Sequence, residues 1–522
     1  MSTEEHYKVV IIGSGVSGLK AGHILKHEHN IDDFKIFEAR DRIGGRLKVS
    51  EPGYHKHGYD MGASWHHDIL INPMFFEESQ RENGPYRPYV IEDDSFAVID
   101  YESDKRLDLD KNLDIMPVFQ ELISYLSSVN KIGQEASYKQ AIFNYINRMK
   151  PFLTEAQKIN ILSLSRYTEL WNGDSWSLIS GMEPVGGHFG RNALVDQFGL
   201  YVNRFVDDGL RDKIDLSTEV SDINVIKSSN NDGKKYAEII TSDGRKVTAD
   251  YVICSIPLSL LKKSSENAKQ QGSISFNPPL RNSFTDALAH MSFGSLGKFF
   301  FEFDSIKWDL NQSRTIILDH KFPDVINKLN QINSKEMLSK DDLDSLEKLS
   351  AEPSSDKVTC DQYPFFVLNV AKSLKVPTIL FLTSEPLTSV LEQKSQEQLY
   401  EFFKPALERV LKSFNCKKTL SFSPEVNEKV PESEIHLKNI VHTSWSTDPY
   451  ALGAYTSVRA GDSFDPFLEE SLKGHEDIVR FVGEAFIEEG NGCVWGAEET
   501  SIREVKKIIE IDCLSKLKTA SI

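Results

Sequence analysis

Near the start of the chain, the pattern of hydrophobic and polar positions changes from one typical of a strand to one typical of a helix, and then back to a strand. Residues 8–12 form an apolar, β-branched run of the kind that a buried parallel strand requires. Glycines follow, then an amphipathic segment that extends to about residue 29, and residues 34–38 form a second short apolar run. This order predicts a strand–helix–strand unit with a parallel pair of strands.

The rest of the chain alternates between helical and strand patterns. Residues 111–171 repeat apolar positions at helical spacing, strands return near residue 219, and a TSDGRK turn separates two of them. Residues 251–261 and 293–303 are further strand patterns, and the strand pattern of residues 478–486 is followed by a helical one. Strand–helix segments of the dinucleotide-binding type therefore occur at the start, the middle and the end of the chain.

This alternation predicts an α/β fold in which two domains are interleaved. A chain of 522 residues is too long for one hydrophobic core. Residues 327–357 are polar, charged and poor in aromatic side chains, which predicts a surface insertion with some disorder. A Rossmann-type dinucleotide-binding domain is assigned to residues 1–105, 186–265 and 470–522, and an α+β substrate-binding domain to residues 106–185 and 266–469.

A glycine motif joins the first predicted strand to the first helix. Gly13 permits the tight turn, Gly15 lets the backbone approach a pyrophosphate, and Gly18 lets the helix and the strand pack closely. Phosphates would lie at the positive N-terminus of the helix. Glu38 ends the second strand, 20 residues after Gly18, where a carboxylate can accept ribose hydroxyls. Together the four residues predict a dinucleotide site.

Two neighbouring segments favour FAD over NAD. The sequence EARDRIGGR adds Arg40, Arg46 and a second glycine pair, which offer charge and N–H groups to a pyrophosphate. The sequence GASW, which begins at Gly62, has small residues where a flat isoalloxazine ring needs a close approach of the backbone.

The charge of the chain narrows the range of partners. Sixty basic and 78 acidic side chains give a net charge of −18. Such a surface repels phosphate backbones and tends to attract cations, so we expect no nucleic-acid partner. Acidic surfaces also aid solubility, so charge alone does not identify a substrate.

Cysteines and terminal segments indicate a reducing compartment. The five cysteines show no paired spacing, which argues against disulfides and against a zinc site. We expect no signal peptide, because Met1 to Tyr7 has two glutamates and no apolar segment, and no run reaches the 18 apolar residues of a membrane span. The tripeptide Ser515-Lys516-Leu517 resembles a peroxisomal address but lies five residues before the end. We expect a cytoplasmic protein, with a peroxisomal location left open.

The motifs occur in the order seen in one family. GSGVSG, EARDRIGGR, GASWHHD, FGSLGK, WSTDPYALGAY and GNGCVWGA, in this order, resemble FAD-dependent amine oxidases, most closely the fungal polyamine oxidases that act on spermine. The resemblance spans nearly the whole chain and implies the amine oxidase fold, a small-molecule amine substrate and oxygen as co-substrate. With the motifs above, it implies a cofactor-binding set of Gly13, Ser14, Gly15, Gly18, Glu38, Arg40, Gly45, Arg46, Gly62, Ala63, Ser64, Val220, Tyr455, Gly483, Glu484, Cys493 and Val494.

The resemblance also implies two catalytic residues. Lys298, in FGSLGK, matches the family lysine that holds a water against flavin N5 and assists reoxidation by oxygen. A cation at that place would stabilise developing superoxide. His67 matches the family histidine that contacts the substrate amine, and histidine as a residue type suits control of the amine's protonation because its ordinary pKa lies near neutrality. For His66 we expect a structural role.

Further matches concern substrate binding. Asp94 matches the family's substrate-binding acid, and Asp93 beside it offers a second carboxylate in what is otherwise a typical solvated turn. Aromatic residues could form a tunnel that attracts ammonium groups. The predicted substrate-binding residues are Trp65, Asp94, Trp171, His188, Asn192 and Tyr450.

Departures from the family concern the flavin link and the substrate. Ala454 occupies the position at which monoamine oxidases have the cysteine that bonds the flavin, so we expect FAD to be non-covalent. Cys493 is expected to pack near the flavin without a link. The residues after Glu484, Ala485-Phe486, and the segment 497–501 also depart from the family and leave the substrate open. Because a related yeast sequence is a corticosteroid-binding protein, binding of a steroid or another apolar ligand is the alternative.

Overall fold

A computed structural model of the chain describes residues 5–93, 96–100, 102, 105–107, 115–129, 133–182, 190–228, 234–266, 269–333, 337–351, 358–425 and 430–520. Its strands are β1 (Glu5–Ile12), β2 (Phe34–Phe37), β3 (Trp65–His66), β4 (Tyr89–Ile91), β5 (Ala97–Asp100), β6 (Lys105–Arg106), β7 (Ala193–Val195), β8 (Ile214–Asp215), β9 (Val220–Lys227), β10 (Lys235–Thr241), β11 (Lys246–Cys254), β12 (Ser275–Asn277), β13 (Ser292–Gly294), β14 (Leu296–Phe303), β15 (Arg314–Ile317), β16 (Phe365–Asn369), β17 (Thr378–Ser384), β18 (Thr419–Phe422), β19 (Glu434–His442), β20 (Tyr455–Ser457) and β21 (Val479–Phe481).

Helices cover the sheets that these strands form. The α-helices are α1 (Val16–His27), α2 (Pro73–Ser79), α3 (Ile115–Ser124), α4 (Tyr138–Met149), α5 (Glu155–Ser165), α6 (Glu169–Asn172), α7 (Asn203–Phe205), α8 (Leu258–Ser265), α9 (Asn282–Ala289), α10 (Pro323–Gln331), α11 (Lys340–Leu349), α12 (Val370–Leu374), α13 (Leu387–Leu391), α14 (Gln396–Ser413), α15 (Phe464–Leu472) and α16 (Val494–Ala520).

The first large sheet has the order β12-β9-β10-β11-β1-β2-β8, with β21 paired to β11. Strand β1 runs parallel to both β2 and β11. Helices α1 and α16 pack together over it. Strands covered on both faces must be apolar throughout, and Val9–Ile12 are at most 4% exposed. The predicted strand–helix–strand unit at the start of the chain is therefore confirmed.

The second large sheet has the order β18-β19-β14-β17-β16-β15-β5-β6 and is mostly antiparallel. Helices α3, α4, α5, α10 and α11 contribute to the apolar cluster on one face, and α14 packs on the other face. Central strand β14 carries Lys298, which is 4% exposed. The two sheets confirm the predicted α/β fold with interleaved units.

Short strands near the unit boundaries cross the predicted division. β5 and β6 precede residue 107 but pair in the second sheet, whereas β12 follows residue 265 and pairs in the first. Pairing of strands far apart in sequence decides this membership, and no local pattern encodes it.

The described part of residues 327–357, which were predicted to form a surface insertion, is largely helical and packs partly into the core. Helices α10 and α11 form there, and Leu329, Leu338 and Leu346 are buried in the main apolar cluster of the second unit. Each helix has charged residues on its outer face and a narrow apolar stripe on its inner face. The charged residues dominate the sequence pattern, but the apolar stripe is enough to pack each helix on the core.

Candidate functional site

A large cavity lies where the parallel strands of the first sheet end. Gly13, Glu38, Ser255 and Gly483 follow four of these strands within two residues and line it, as expected for ligand sites of open α/β sheets. About 1610 Å³ of space lies between its walls, part of it open to solvent. The predicted residues in its wall are Gly13, Gly15, Glu38, Arg40, Gly45, Arg46, Gly62, Ala63, Ser64, Trp65, His67, Val220, Lys298, Tyr450, Tyr455, Gly483, Glu484, Cys493 and Val494.

The glycine turn fits the approach of a dinucleotide. Gly13 has a φ of 93°, and a Cβ on Gly18 would lie 2.0 Å from the carbonyl oxygen of Gly13. A Cβ on Gly15 would meet nothing within 4 Å. Gly15 caps helix α1 without a side-chain hydrogen bond, so the first helical amides have no side-chain partner there. The turn therefore leaves an open, positively polarised cradle.

Glu38 is held in the cavity wall by its neighbours. Its Oε2 accepts hydrogen bonds from the Ser14 amide at 2.7 Å and the Ser14 hydroxyl at 2.8 Å. Its Oε1 accepts from the Arg40 amide at 2.9 Å. Ser14 itself is fully buried, so its direct role is to orient this carboxylate.

Tyr450 lies beside Arg40. The Arg40 guanidinium lies 5.1 Å from the centre of the Tyr450 ring and makes two hydrogen bonds to Asp448, at 2.9 and 2.7 Å. The Tyr450 hydroxyl donates to Glu219 at 3.1 Å. Tyr450, predicted to bind substrate, therefore lies beside Arg40, a residue predicted to bind the cofactor.

Arg46 and Glu484 form a second charged element of the wall. The Arg46 guanidinium donates to Glu484 at 2.9 Å and to the carbonyl oxygen of Ala454 at 2.8 Å. Glu484 also accepts from the Gly492 amide at 3.1 Å. These contacts join three chain segments that lie far apart in sequence, all named in the predicted cofactor set or its motifs.

Lys298 is the buried cation of the cavity. Its ammonium group donates to the carbonyl oxygens of Asp60 at 3.0 Å and Gly62 at 2.5 Å, and to the Ser64 hydroxyl. It lies 5.2 Å from the Trp65 ring centre. Burial lowers the pKa of Lys298, while the Asp60 carboxylate opposes this shift. A lysine in this setting can hold or release a proton near neutral to mildly basic pH.

Asp60 is a functional candidate that the sequence analysis missed. Its carboxylate accepts hydrogen bonds from the amides of Phe198 at 2.8 Å and Gly199 at 2.7 Å. Burial raises its pKa, and Lys298 counteracts this. Its position two residues before the GASW motif was the available signal. Asp60 does not itself line the cavity, whereas the missed residues that do line it include Thr218, Glu219, Ser255, Leu296, Trp445 and Gly492.

The adjacent histidines differ in environment. His66 packs against Phe75 and Phe198, and burial lowers its pKa to about 4, as suits a structural residue. His67 lines the cavity, and its Nδ1 lies 3.1 Å from the side-chain oxygen of Asn192. Asn192 is not itself in the wall, so it acts on the cavity through His67.

The remaining predicted substrate residues are less central. Trp171 is 38% exposed and lies outside the cavity wall, although its carbonyl oxygen accepts from the Tyr455 hydroxyl at 2.7 Å. Asp93 forms an exposed ion pair with Arg191. Asp94 and His188 lie outside the described residues.

The departures from the family motifs mostly face away from the cavity. Ala485 and Phe486 are buried in the apolar cluster of the first sheet. Within 497–501 only Ala497 lines the cavity, and Glu498 accepts from Tyr201 at 2.9 Å. Apart from Ala497, these residues therefore lie outside the cavity wall.

The glycine turn and the cavity at the ends of parallel strands are typical of dinucleotide-binding proteins, and comparison with known families identifies the family. A family described as flavin containing amine oxidoreductase matches residues 16–509. The chain therefore belongs to the flavin-containing amine oxidoreductases and has their fold, and membership implies a flavin cofactor.

Individual relatives are distant but match over the full length. A corticosteroid-binding protein of Candida albicans is 28% identical, covering 98% of this chain and 97% of the relative. Polyamine oxidase 3 of Oryza sativa subsp. japonica is 23% identical, with 97% and 91% covered. Two solved structures of putrescine oxidase are 16% and 15% identical to this chain and have TM-scores of 0.66 and 0.64. Each match covers 97% of this chain and 99% of the putrescine oxidase chain. Within the described part of the chain, no helix has the length and apolarity needed to cross a membrane.

Proposed function

We propose that the chain binds FAD without a covalent link and oxidises a polyamine, spermine or an acetylated polyamine, at a C–N bond. The products are a shorter polyamine, an aminoaldehyde and hydrogen peroxide. The observation that carries this proposal is the buried Lys298 ammonium. It lies beside Trp65 and lines the same cavity as the glycine turn that would hold the dinucleotide. The relatives named polyamine oxidases support the substrate class.

The residues present fit FAD. Gly15 and the first amides of α1 would hold the pyrophosphate, and Glu38 would accept the ribose hydroxyls. Arg40 and Tyr450 would contact the adenosine side, whereas the backbone from Gly62 onwards and the α16 N-terminus would contact the ring system. Bound flavin supplies the acceptor for a hydride from the carbon beside the amine nitrogen.

His67 and Lys298 would act at the reacting end. The amine must react in its neutral form, and the His67 imidazole, bonded to Asn192, can accept its proton. The Lys298 ammonium would stabilise negative charge that develops on oxygen. Asp94, Trp171 and His188 remain proposed contacts for the rest of the substrate.

Release of the cofactor tests the non-covalent proposal. Ala454 has no atom able to bond the flavin, and burial raises the pKa of the Cys493 thiol to about 12, which keeps it protonated and unreactive. Acid precipitation of the yellow protein should therefore leave free FAD in the supernatant, measured by its absorbance and chromatography. Flavin that stays in the washed precipitate would contradict the proposal.

A second candidate function is binding of a corticosteroid, favoured by the name of the Candida albicans relative. Anaerobic mixing with spermine, N1-acetylspermine or cortisol separates the two functions. An oxidase bleaches the flavin absorbance rapidly with an amine, and subsequent oxygen yields one peroxide per flavin reduced. No bleaching by any amine, together with tight cortisol binding by calorimetry, would replace the oxidase by a binding protein.

A further inference from the structure

A second, smaller cavity shares part of its wall with the large one. About 350 Å³ of space lies between its walls, part of it open to solvent. Ser64 and Trp65 line both cavities, whereas Asp60 lines only the smaller one and Lys298 only the large one. The Ser64-Trp65 dipeptide is therefore the wall that the two cavities have in common, and Lys298 lies against it.

The Lys298 ammonium has three N–H groups, and each of them has an acceptor. Two acceptors are the backbone carbonyl oxygens of Asp60 and Gly62, and the third is the Ser64 hydroxyl. A carbonyl oxygen can only accept, whereas a hydroxyl accepts a hydrogen bond and also has a proton of its own to donate. Ser64 is therefore the bonded partner through which Lys298 can lose or regain a proton.

The smaller cavity reaches solvent at a pair of polar side chains and has room for water. His57 Nε2 lies 3.2 Å from Asp196 Oδ1, both residues line this cavity, and their side chains are 17% and 28% exposed. A water molecule takes up about 30 Å³ in the liquid, so the space admits water. The Trp65 Nε1 is buried without a hydrogen-bond partner within the described residues, and water in the adjoining space would satisfy it.

The charges along the smaller cavity favour a proton over an anion. Burial raises the pKa of Asp60, Lys298 lowers it and Asp196 raises it, so the Asp60 carboxylate lies within electrostatic reach of both. Asp60 is also the charged group that acts on the pKa of Lys298. Two carboxylates attract positive charge and repel hydroxide or superoxide. The rest of the wall is mostly apolar and includes Phe300 and Leu380.

We propose that Ser64 relays protons between Lys298 and water in the smaller cavity, and that this cavity connects Lys298 to solvent when FAD and an amine fill the large one. The transfer involves no change of oxidation state. As an N–H bond of the ammonium breaks, its proton passes to Ser64 Oγ and the hydroxyl proton leaves to a water molecule. The reverse transfer restores the ammonium. Use of this charge in oxygen chemistry rests on the proposed oxidase function, whereas the path does not.

A pH jump on the FAD-loaded enzyme without amine measures this transfer in the absence of turnover. Mixing from neutral to alkaline pH should change the fluorescence of Trp65, whose ring centre lies 5.2 Å from the Lys298 ammonium. The kinetic phase that is missing in Lys298→Met belongs to Lys298. Ser64→Ala should slow this phase roughly 100-fold, because a positioned proton-transfer group is lost. Ser64→Thr keeps a hydroxyl and should keep the rate.

A second variant narrows the smaller cavity without a change at Lys298 or in the large cavity. Leu374 ends α12 and lines only the smaller cavity. Leu374→Trp should slow the same phase roughly 10-fold, because water is displaced while the relay remains. Leu472→Trp is the matched control: Leu472 ends α15 and lies outside both cavity walls, so the phase should keep its wild-type rate.

A wild-type rate in Ser64→Ala, or equal slowing in Leu374→Trp and Leu472→Trp, would overturn the relay. Slower flavin reoxidation in Leu374→Trp with an unchanged pH-jump phase would also overturn it, because the smaller cavity would then supply oxygen and not protons. If Ser64→Ala does not retain FAD, Leu374→Trp decides alone. Failure of every amine to reduce the flavin would count against the oxidase only, since the pH jump needs no amine. Thermal unfolding of each variant shows whether its fold is kept.

Discussion

Replacing Lys298 by methionine is expected to slow flavin reoxidation by oxygen roughly 100-fold, while flavin reduction by the amine changes much less. The reason is that the Lys298 ammonium is a buried cation in the cavity wall, which we propose supplies positive charge where negative charge develops on oxygen. Methionine keeps the length and the apolar stem but has no charge and no donor. Stopped-flow absorbance measures both half-reactions in the same preparation.

The pH dependence gives this prediction a second readout. Burial lowers the pKa of Lys298, so the neutral amine form begins to accumulate at a lower pH than for an exposed lysine. Reoxidation by the wild type should therefore fall as the pH rises through this lowered pKa, and the methionine variant should show no such fall. Lys298→Arg retains a charge and should retain part of the rate. Half-reactions that slow to the same extent in Lys298→Met would remove Lys298 from oxygen chemistry.

Local sequence patterns were sufficient for the strand–helix–strand unit at the start of the chain. The run of residues 8–12, the glycine turn and Glu38 encode the strand, the bend and the strand end within one short segment, and the structure has them in that arrangement. Gly15 leaves open space for the approach of a ligand, whereas Gly18 packs so closely against Gly13 that it has no room for a Cβ. Such features depend on neighbours in sequence, so they can be predicted without the tertiary structure.

Features that depend on pairing between distant segments were beyond the sequence patterns. Strand β15 lies beside β16 and β5 only through pairing across the second sheet, and Tyr450 lies beside Arg40, which binds Asp448, two residues before Tyr450 in the chain. Leu346 in α11 looked like part of a charged surface segment, although it is buried in the core. The register of strand pairing decides which side chains are neighbours across a sheet. Because this register depends on the whole sheet, local sequence patterns do not predict it.

Gly15→Ala is expected to lower the affinity for FAD roughly 10- to 100-fold without destabilising the apoprotein. Gly15 has a φ of −65°, which any residue adopts, and an added Cβ would meet no atom of the protein within 4 Å. The methyl group would instead occupy the space that the pyrophosphate needs, and overpacking of that kind costs about 1–3 kcal/mol. Fluorescence titration of apoprotein with FAD measures the affinity, and thermal unfolding without FAD measures the stability.

Substitutions at two other glycines distinguish an effect on the approach of the cofactor from an effect on packing within the protein. At Gly133 an added Cβ also meets nothing within 4 Å, but this residue lies outside the cavity wall, so Gly133→Ala should leave both FAD affinity and stability unchanged. At Gly18 the Cβ would lie 2.0 Å from the Gly13 carbonyl oxygen, so Gly18→Ala should lower the unfolding temperature even without FAD. Wild-type FAD affinity in Gly15→Ala would mean that the cofactor does not approach this turn. Loss of apoprotein stability in that variant would instead mean that Gly15 is needed for folding, because the space around it is not open in solution.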